Sequence, residues 1–171
     1  MENFFAFLAN SLVLRRAASP ELKRFLIGQS GCSTLLHSQD RTLHIRYTKE
    51  GDKIYFNEFV AGKVGYGTVC VQMHEAYSLY NANNILVQYI NRVRKPMNII
   101  YNFSMEIEKS LGLITITDYW QDKAGIDWKI KGYTNGKVVA LLYVKNINDS
   151  SVKNHDAFLN GFRFASAAKN K

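Results

Sequence analysis

Proline is scarce in this sequence, with 2 residues in 171. Cysteine is equally scarce, again 2, and no stretch is of low complexity. With 47% hydrophobic and 13% aromatic residues beside that little proline, the chain is not an intrinsically disordered one, which buries too little apolar surface to offset the entropy of ordering. Two thiols, Cys32 and Cys70, are too few for a disulfide framework or a thiolate zinc site. They are left to pair with each other in an oxidising compartment or to act as small core residues, and Cys70 lies in the apolar run Val69-Cys-Val71. Long hydrophobic runs are missing as well. The apolar start, Phe4 to Leu14, is far shorter than the roughly 20 residues that span a bilayer. Glu2 precedes it and Arg15-Arg16 follow it, the reverse of the charge order in a secretory signal. These features predict a cytoplasmic protein with no transmembrane segment.

One sign of charge is in excess, at +8, but nowhere do like charges run together. A basic balance attracts nucleic acid or acidic lipid without specifying a site. The densest cluster is Arg92, Arg94 and Lys95 at the end of an amphipathic segment, the candidate anion-binding group. Four histidines, His37, His44, His74 and His155, stand at no metal-ligand spacing, so no metal and no cofactor is predicted. His74-Glu75 has the composition of a base with an orienting carboxylate and is the candidate centre of a small hydrolase or transferase. Cys32 is the candidate thiol nucleophile. Gly62, Gly65 and Gly67 lack the Gly-Lys-Ser/Thr ending of a phosphate loop and lead into a strand, so they read as a turn. Arg46/Tyr47 and Lys131/Tyr133 have the makings of base-stacking pairs, but strand tyrosines usually pack against neighbours.

The strongest local signal is the run Ile126–Thr134, then Asn135-Gly136, then Lys137–Lys145. Asn-Gly between alternating strands predicts a hairpin with a two-residue type I′ loop. Thr134 then faces Lys137, and Gly132/Val139, Ile130/Leu141 and Trp128/Tyr143 pair on a core face. Tyr133/Val138, Lys131/Ala140, Lys129/Leu142 and Asp127/Val144 form the second face, whose aliphatic strand needs cover from the N-terminal helices or another chain. Leu79, Ala82, Leu86, Ile90 and Val93 make one helical stripe over residues 78–93, which Pro96 ends. Further strands are expected over Thr42–Thr48, Lys53–Val60, Thr68–Met73, Asn98–Glu106 and Leu113–Trp120. A C-terminal helix starting near Ser150/Ser151 carries Ala157, Phe158 and Leu159. Ser19-Pro20-Glu21 predicts a short helix over 20–27, after the apolar helix that opens the chain.

From Ile126 onward the order of features resembles the PsbP-like domains. Tyr133-Thr-Asn-Gly-Lys137 joins two long strands, a polar loop follows at Asn146–Asn154, and Asp156-Ala-Phe-Leu-Asn-Gly-Phe-Arg-Phe164 ends helix to strand. With the helix upstream, the resemblance covers about residues 78–164. It implies an α/β/α sandwich and a non-enzymatic assembly or binding role.

The expectation is therefore a single α+β domain over residues 1–164 with a flexible tail at 165–171. An antiparallel sheet is packed by the helix at 78–93 and a short C-terminal helix, α/β/α sandwich-like, with N-terminal helices over 1–27. The leading function is a binding or assembly module acting through protein–protein contacts, with homodimerisation through the apolar N-terminal helix. A polyanion binder for nucleic acid or an acidic membrane surface is the alternative.

Overall fold

The computed structural model describes residues 21–37, 42–110, 112–149 and 154–165. Among these residues nine strands and two α-helices follow in chain order. The strands are β1 (Leu22–Leu26), β2 (Ser33–His37), β3 (His44–Tyr47), β4 (Lys53–Ala61), β5 (Val64–Gln72), β6 (Ile99–Ser110), β7 (Leu113–Asp122), β8 (Asp127–Thr134) and β9 (Val138–Lys145). Helix α1 (Leu79–Arg94) separates β5 from β6, and α2 (His155–Leu159) follows β9. Strands β3 to β9 form one antiparallel sheet in the order β3-β4-β5-β9-β8-β7-β6, and β1 pairs with β2 in a separate ribbon. Two meanders are thus joined at β5 and β9, with the α1 crossover carrying the chain to the far edge.

Alternation along the strands makes two cores. On one face Ile54, Phe56, Val69, Val71, Ile116, Trp120, Ile130 and Leu141 pack against Ala82, Leu86, Tyr89, Ile90 and Val93 of α1. Ser78 caps that helix by accepting from the Asn81 amide, and Asn98 (φ 53°) closes the turn after it in the left-handed conformation. On the other face Tyr55, Tyr66, Ala140, Leu142 and Val144 are covered by Ile27 and Leu36 of the ribbon and by Phe158, Leu159 and Phe162. The ribbon is tied to the C-terminal segment by the reciprocal backbone bonds of Ser33 and Arg163.

Three expectations need correction. Among the described residues the molecule is mostly β, not an α/β/α sandwich: strands dominate, and α2 has only five residues. The helix expected over 20–27 is strand β1 from Leu22. Gly28 does not end a helix; its φ of 53° belongs to the β1–β2 connection, where the Ile27 amide donates to the Cys32 carbonyl and the Ser30 hydroxyl bonds the Ile27 carbonyl. A helix of that length is marginal on its own, whereas the strand gains a full ladder to β2. Finally, α2 starts at His155, not near Ser150/Ser151. Residues 1–20, the expected site of the apolar helix and of self-association, lie outside the described residues, as does most of the tail.

The central hairpin keeps the expected faces with a register displaced by two. Thr134 pairs with Val139, Gly132 with Leu141 and Ile130 with Tyr143. A type I′ loop needs positive φ at both central residues, and only Gly136 (φ 83°) has it. Asn135 instead turns its side-chain oxygen back to accept from the Lys137 and Val138 amides at 3.0 and 2.9 Å. The Thr134 hydroxyl donates to the Val138 carbonyl, widening the loop to four residues.

Candidate functional site

The sheet's two outer strands are unlike. Strand β3 has four residues and carries Arg46, the short charged form by which an edge avoids unwanted pairing. Strand β6 has twelve residues, nearly all exposed. From Ser104 to Ser110 it pairs residue for residue with β7, while shifts before Tyr101 and before Ser104 leave Ile100 and Phe103 as extra residues. Such bulges re-aim side chains. Ile100, Tyr101, Phe103, Met105 and Ile107 are all exposed, Phe103 to 61%.

The reason is geometric. A helix about 10 Å across covers about two strands spaced 4.8 Å apart, and α1 sits over β8, β7 and β9. Met105 and Ile107, opposite Asp118 and Ile116, share the helix-side face but lie one strand beyond its cover. Leu79 and Tyr80, at the N-terminal end of α1, are exposed too, and Leu79 comes within reach of the β6–β7 turn at Gly112.

A buried carboxylate holds this edge to the sheet. Asp118 is fully buried and accepts from the Trp120 indole (2.6 Å), the Tyr119 amide (2.9 Å) and the Asn102 side chain of β6 (3.2 Å). Burial pushes its pKa up, opposed by those bonds and by the Arg94 charge.

Two clefts lie elsewhere on the helix side of the sheet. One, of about 350 Å³, brings His74 and Glu75 together with Asp52, Tyr89 and Arg92. Asp52 accepts from the His74 amide (2.8 Å) and the Tyr89 hydroxyl (3.1 Å), so both its oxygens are engaged. The His74 ring lies against Gly51, and among the described residues it has no hydrogen-bonded carboxylate to orient it. The other, of about 190 Å³, is bounded by Glu58, Tyr143, Asp122, Trp128 and Lys145. There Tyr143 reaches across Gly67 to donate to Glu58, and the Trp128 indole and two backbone amides occupy Asp122.

Arg92, Arg94 and Lys95 do not converge. Arg92 lies over the Tyr89 ring in the His74 cleft, Arg94 acts on Asp118 from another side of the helix, and Lys95 is exposed in the turn beyond. Cys32 is fully buried on the opposite face of the sheet from His74, so the two share no site. It faces Cys70 instead. Hydrogen bonding from the Cys70 thiol lowers the Cys32 pKa, and the Cys70 pKa is pushed up by the same bond and by burial. Tyr133 is a core pillar whose hydroxyl donates to the Leu159 carbonyl at 2.6 Å, and Lys131 bonds Asn160. Among the described residues no group of three His, Cys, Asp or Glu side chains is placed to hold a metal ion. No helix there is long and apolar enough to cross a membrane.

The apolar residues of β6 escape sequence reasoning because Phe103–Ile107 alternates like any half-buried strand. Only the strand order reveals that its face lies beyond the helix. Among the described residues, fold and site together define an antiparallel sheet with one blunted edge and one apolar edge that no described strand pairs. Neither a protein-family model nor a curated protein matches the chain.

Proposed function

We propose that the protein is a binding module that captures an extended segment of another protein by strand addition along β6. The observation that carries this reading is the row of exposed apolar side chains on a long outer strand, since soluble monomers seldom leave such an edge open. In strand addition the backbone supplies affinity, and side chains at alternate positions supply specificity. Met105 and Ile107 ask for apolar partners, whereas Glu106 and Glu108 on the other face ask for cations. A second copy of this chain is the poorer partner. Antiparallel self-pairing centred on Ile107, midway along the regular stretch 104–110, sets Glu106 against Glu108 twice, and like charges directly opposed are destabilising.

Selection from a displayed random-peptide library tests the reading. The expected winners alternate branched apolar residues with Lys or Arg, and lose binding when their backbone is N-methylated at alternate residues. Met105→Lys with Ile107→Lys in the protein abolishes their binding without lowering its melting temperature. Selected peptides that bind this variant equally well, or a library that yields none, overturn it.

A further inference from the structure

A third hollow lies on the opposite side of the sheet from α1, between the β1–β2 ribbon and strands β4 and β5. Its volume is about 230 Å³. Its walls are Phe25, Leu26, Ile27, Leu36 and Leu43, and among the described residues no ionisable side chain lines it. Into this apolar lining come three polar residues, Thr34 from β2, Asn57 from β4 and Thr68 from β5. Asn57 and Thr68 stand directly opposite each other across the β4–β5 ladder. All three are nearly inaccessible, at 1%, 3% and 3% exposure. Yet the Thr34 Oγ1, Asn57 Oδ1 and Thr68 Oγ1 atoms have no hydrogen-bond partner among the described residues. The Asn57 carboxamide is not free to turn, because its Nδ2 donates to the Thr42 carbonyl at 2.7 Å.

Buried polar groups in folded proteins are almost always hydrogen-bonded, and an exception asks for an explanation. Here three exceptions line one hollow. We propose that this hollow is a binding site for a small uncharged amphiphile, with an apolar body among the leucines and one hydroxyl or primary amide bonded to Thr34, Asn57 and Thr68. The two threonine hydroxyls both donate and accept, and Asn57 Oδ1 only accepts. The site therefore needs a ligand head that donates at least one hydrogen bond. A carboxylate cannot donate, and among the described lining residues no cation stands by to compensate its charge. Size sets the class further. An apolar cavity of about 150 Å³ takes benzene, so this one suits a molecule of about nine non-hydrogen atoms.

Octanol, octanamide and octanoate are suitable probes of the full chain. Binding is followed by the methyl resonances of Thr34, Leu36, Leu43 and Thr68 in isotope-labelled protein, and by melting temperature. Octanol and octanamide are expected to shift those methyls in a saturable manner and to raise the melting temperature, while octanoate binds more weakly by about tenfold or more. Thr68→Val keeps the side-chain shape and removes one hydroxyl. It is expected to weaken octanol by about tenfold at most while leaving the fold intact. Should the variant not fold, the wild-type methyl shifts decide alone. The proposal is overturned if no probe moves these methyls up to its solubility limit, which would leave the hollow to water. It is equally overturned if octanoate binds as well as octanol, or if a folded Thr68→Val binds octanol unchanged.

Discussion

Tyr143 shows how single residues hold the middle of the sheet. Gly67 lies between Glu58 on one neighbouring strand and Tyr143 on the other, and its missing side chain is what lets the phenol cross to Glu58. Any Cβ at Gly67 would overlap the ring. Burial first, and then the Glu58 charge, pushes the Tyr143 pKa well above its ordinary value. A raised native pKa means that the protonated form is favoured in the folded state. Its contribution is complete below the unfolded value of about 10 and is lost as pH rises through the native one. Urea unfolding at rising pH should therefore show Tyr143→Phe less stable than wild type near neutrality, with the gap closing above about pH 10. Curves that stay parallel would rule out this ionisation. The thiols make a second case. Cys32 and Cys70 are fully buried, so neither should react with a bulky aromatic disulfide reagent in the native protein, and both should react in denaturant. The apolar run around Cys70 made its burial legible. Its pairing with Cys32 was not, because a ribbon that lies across a sheet leaves no periodic trace relating the two.

At the scale of elements, the face of each strand of the central hairpin was legible and its register was not. Side chains alternate with period two, so a slip of two residues moves no residue to the other face. The hairpin loop could therefore differ from expectation while Ile130 and Leu141 stayed in the core and Lys129 and Lys131 stayed outside it. What decided the loop was the Asn135 side chain bonding its own backbone, an alternative that an Asn-Gly pair leaves open. Strand β1 failed for a related reason. Ser-Pro-Glu signals a helix start, but five residues cannot outweigh a ladder to β2. Truncation separates the roles. Ile130→Ala should cost about 2–5 kcal/mol in chemical denaturation, the range for buried aliphatic residues. Lys131→Ala, which loses its bond to Asn160 on the surface, should cost less than about 1 kcal/mol. Equal losses at the two positions would contradict the observed faces.

The whole molecule carries a charge of +8, and the fold decides whether that charge amounts to a site. In sequence Arg92, Arg94 and Lys95 form the densest cationic cluster. On a helix, residues two apart point to nearly opposite sides, and the structure follows that rule. Arg92 shares a cleft with the carboxylates Glu50, Asp52 and Glu75, while Arg94 faces the buried Asp118. Each guanidinium is thus already opposed by acidic groups of the protein. A polyanion would meet a diffuse positive field, whose strength follows net charge and falls with salt, without a cradle of convergent donors. The comparison to make is between two triple variants of equal charge on heparin. One replaces Arg92, Arg94 and Lys95 by Gln. The other replaces Lys63, Lys123 and Lys137, exposed residues on three separate loops, by Gln. With a diffuse field both should elute at the same salt concentration, earlier than wild type. Markedly earlier elution of the first would mean that the helix end gathers phosphates after all, and would restore the anion-binding reading of those three residues.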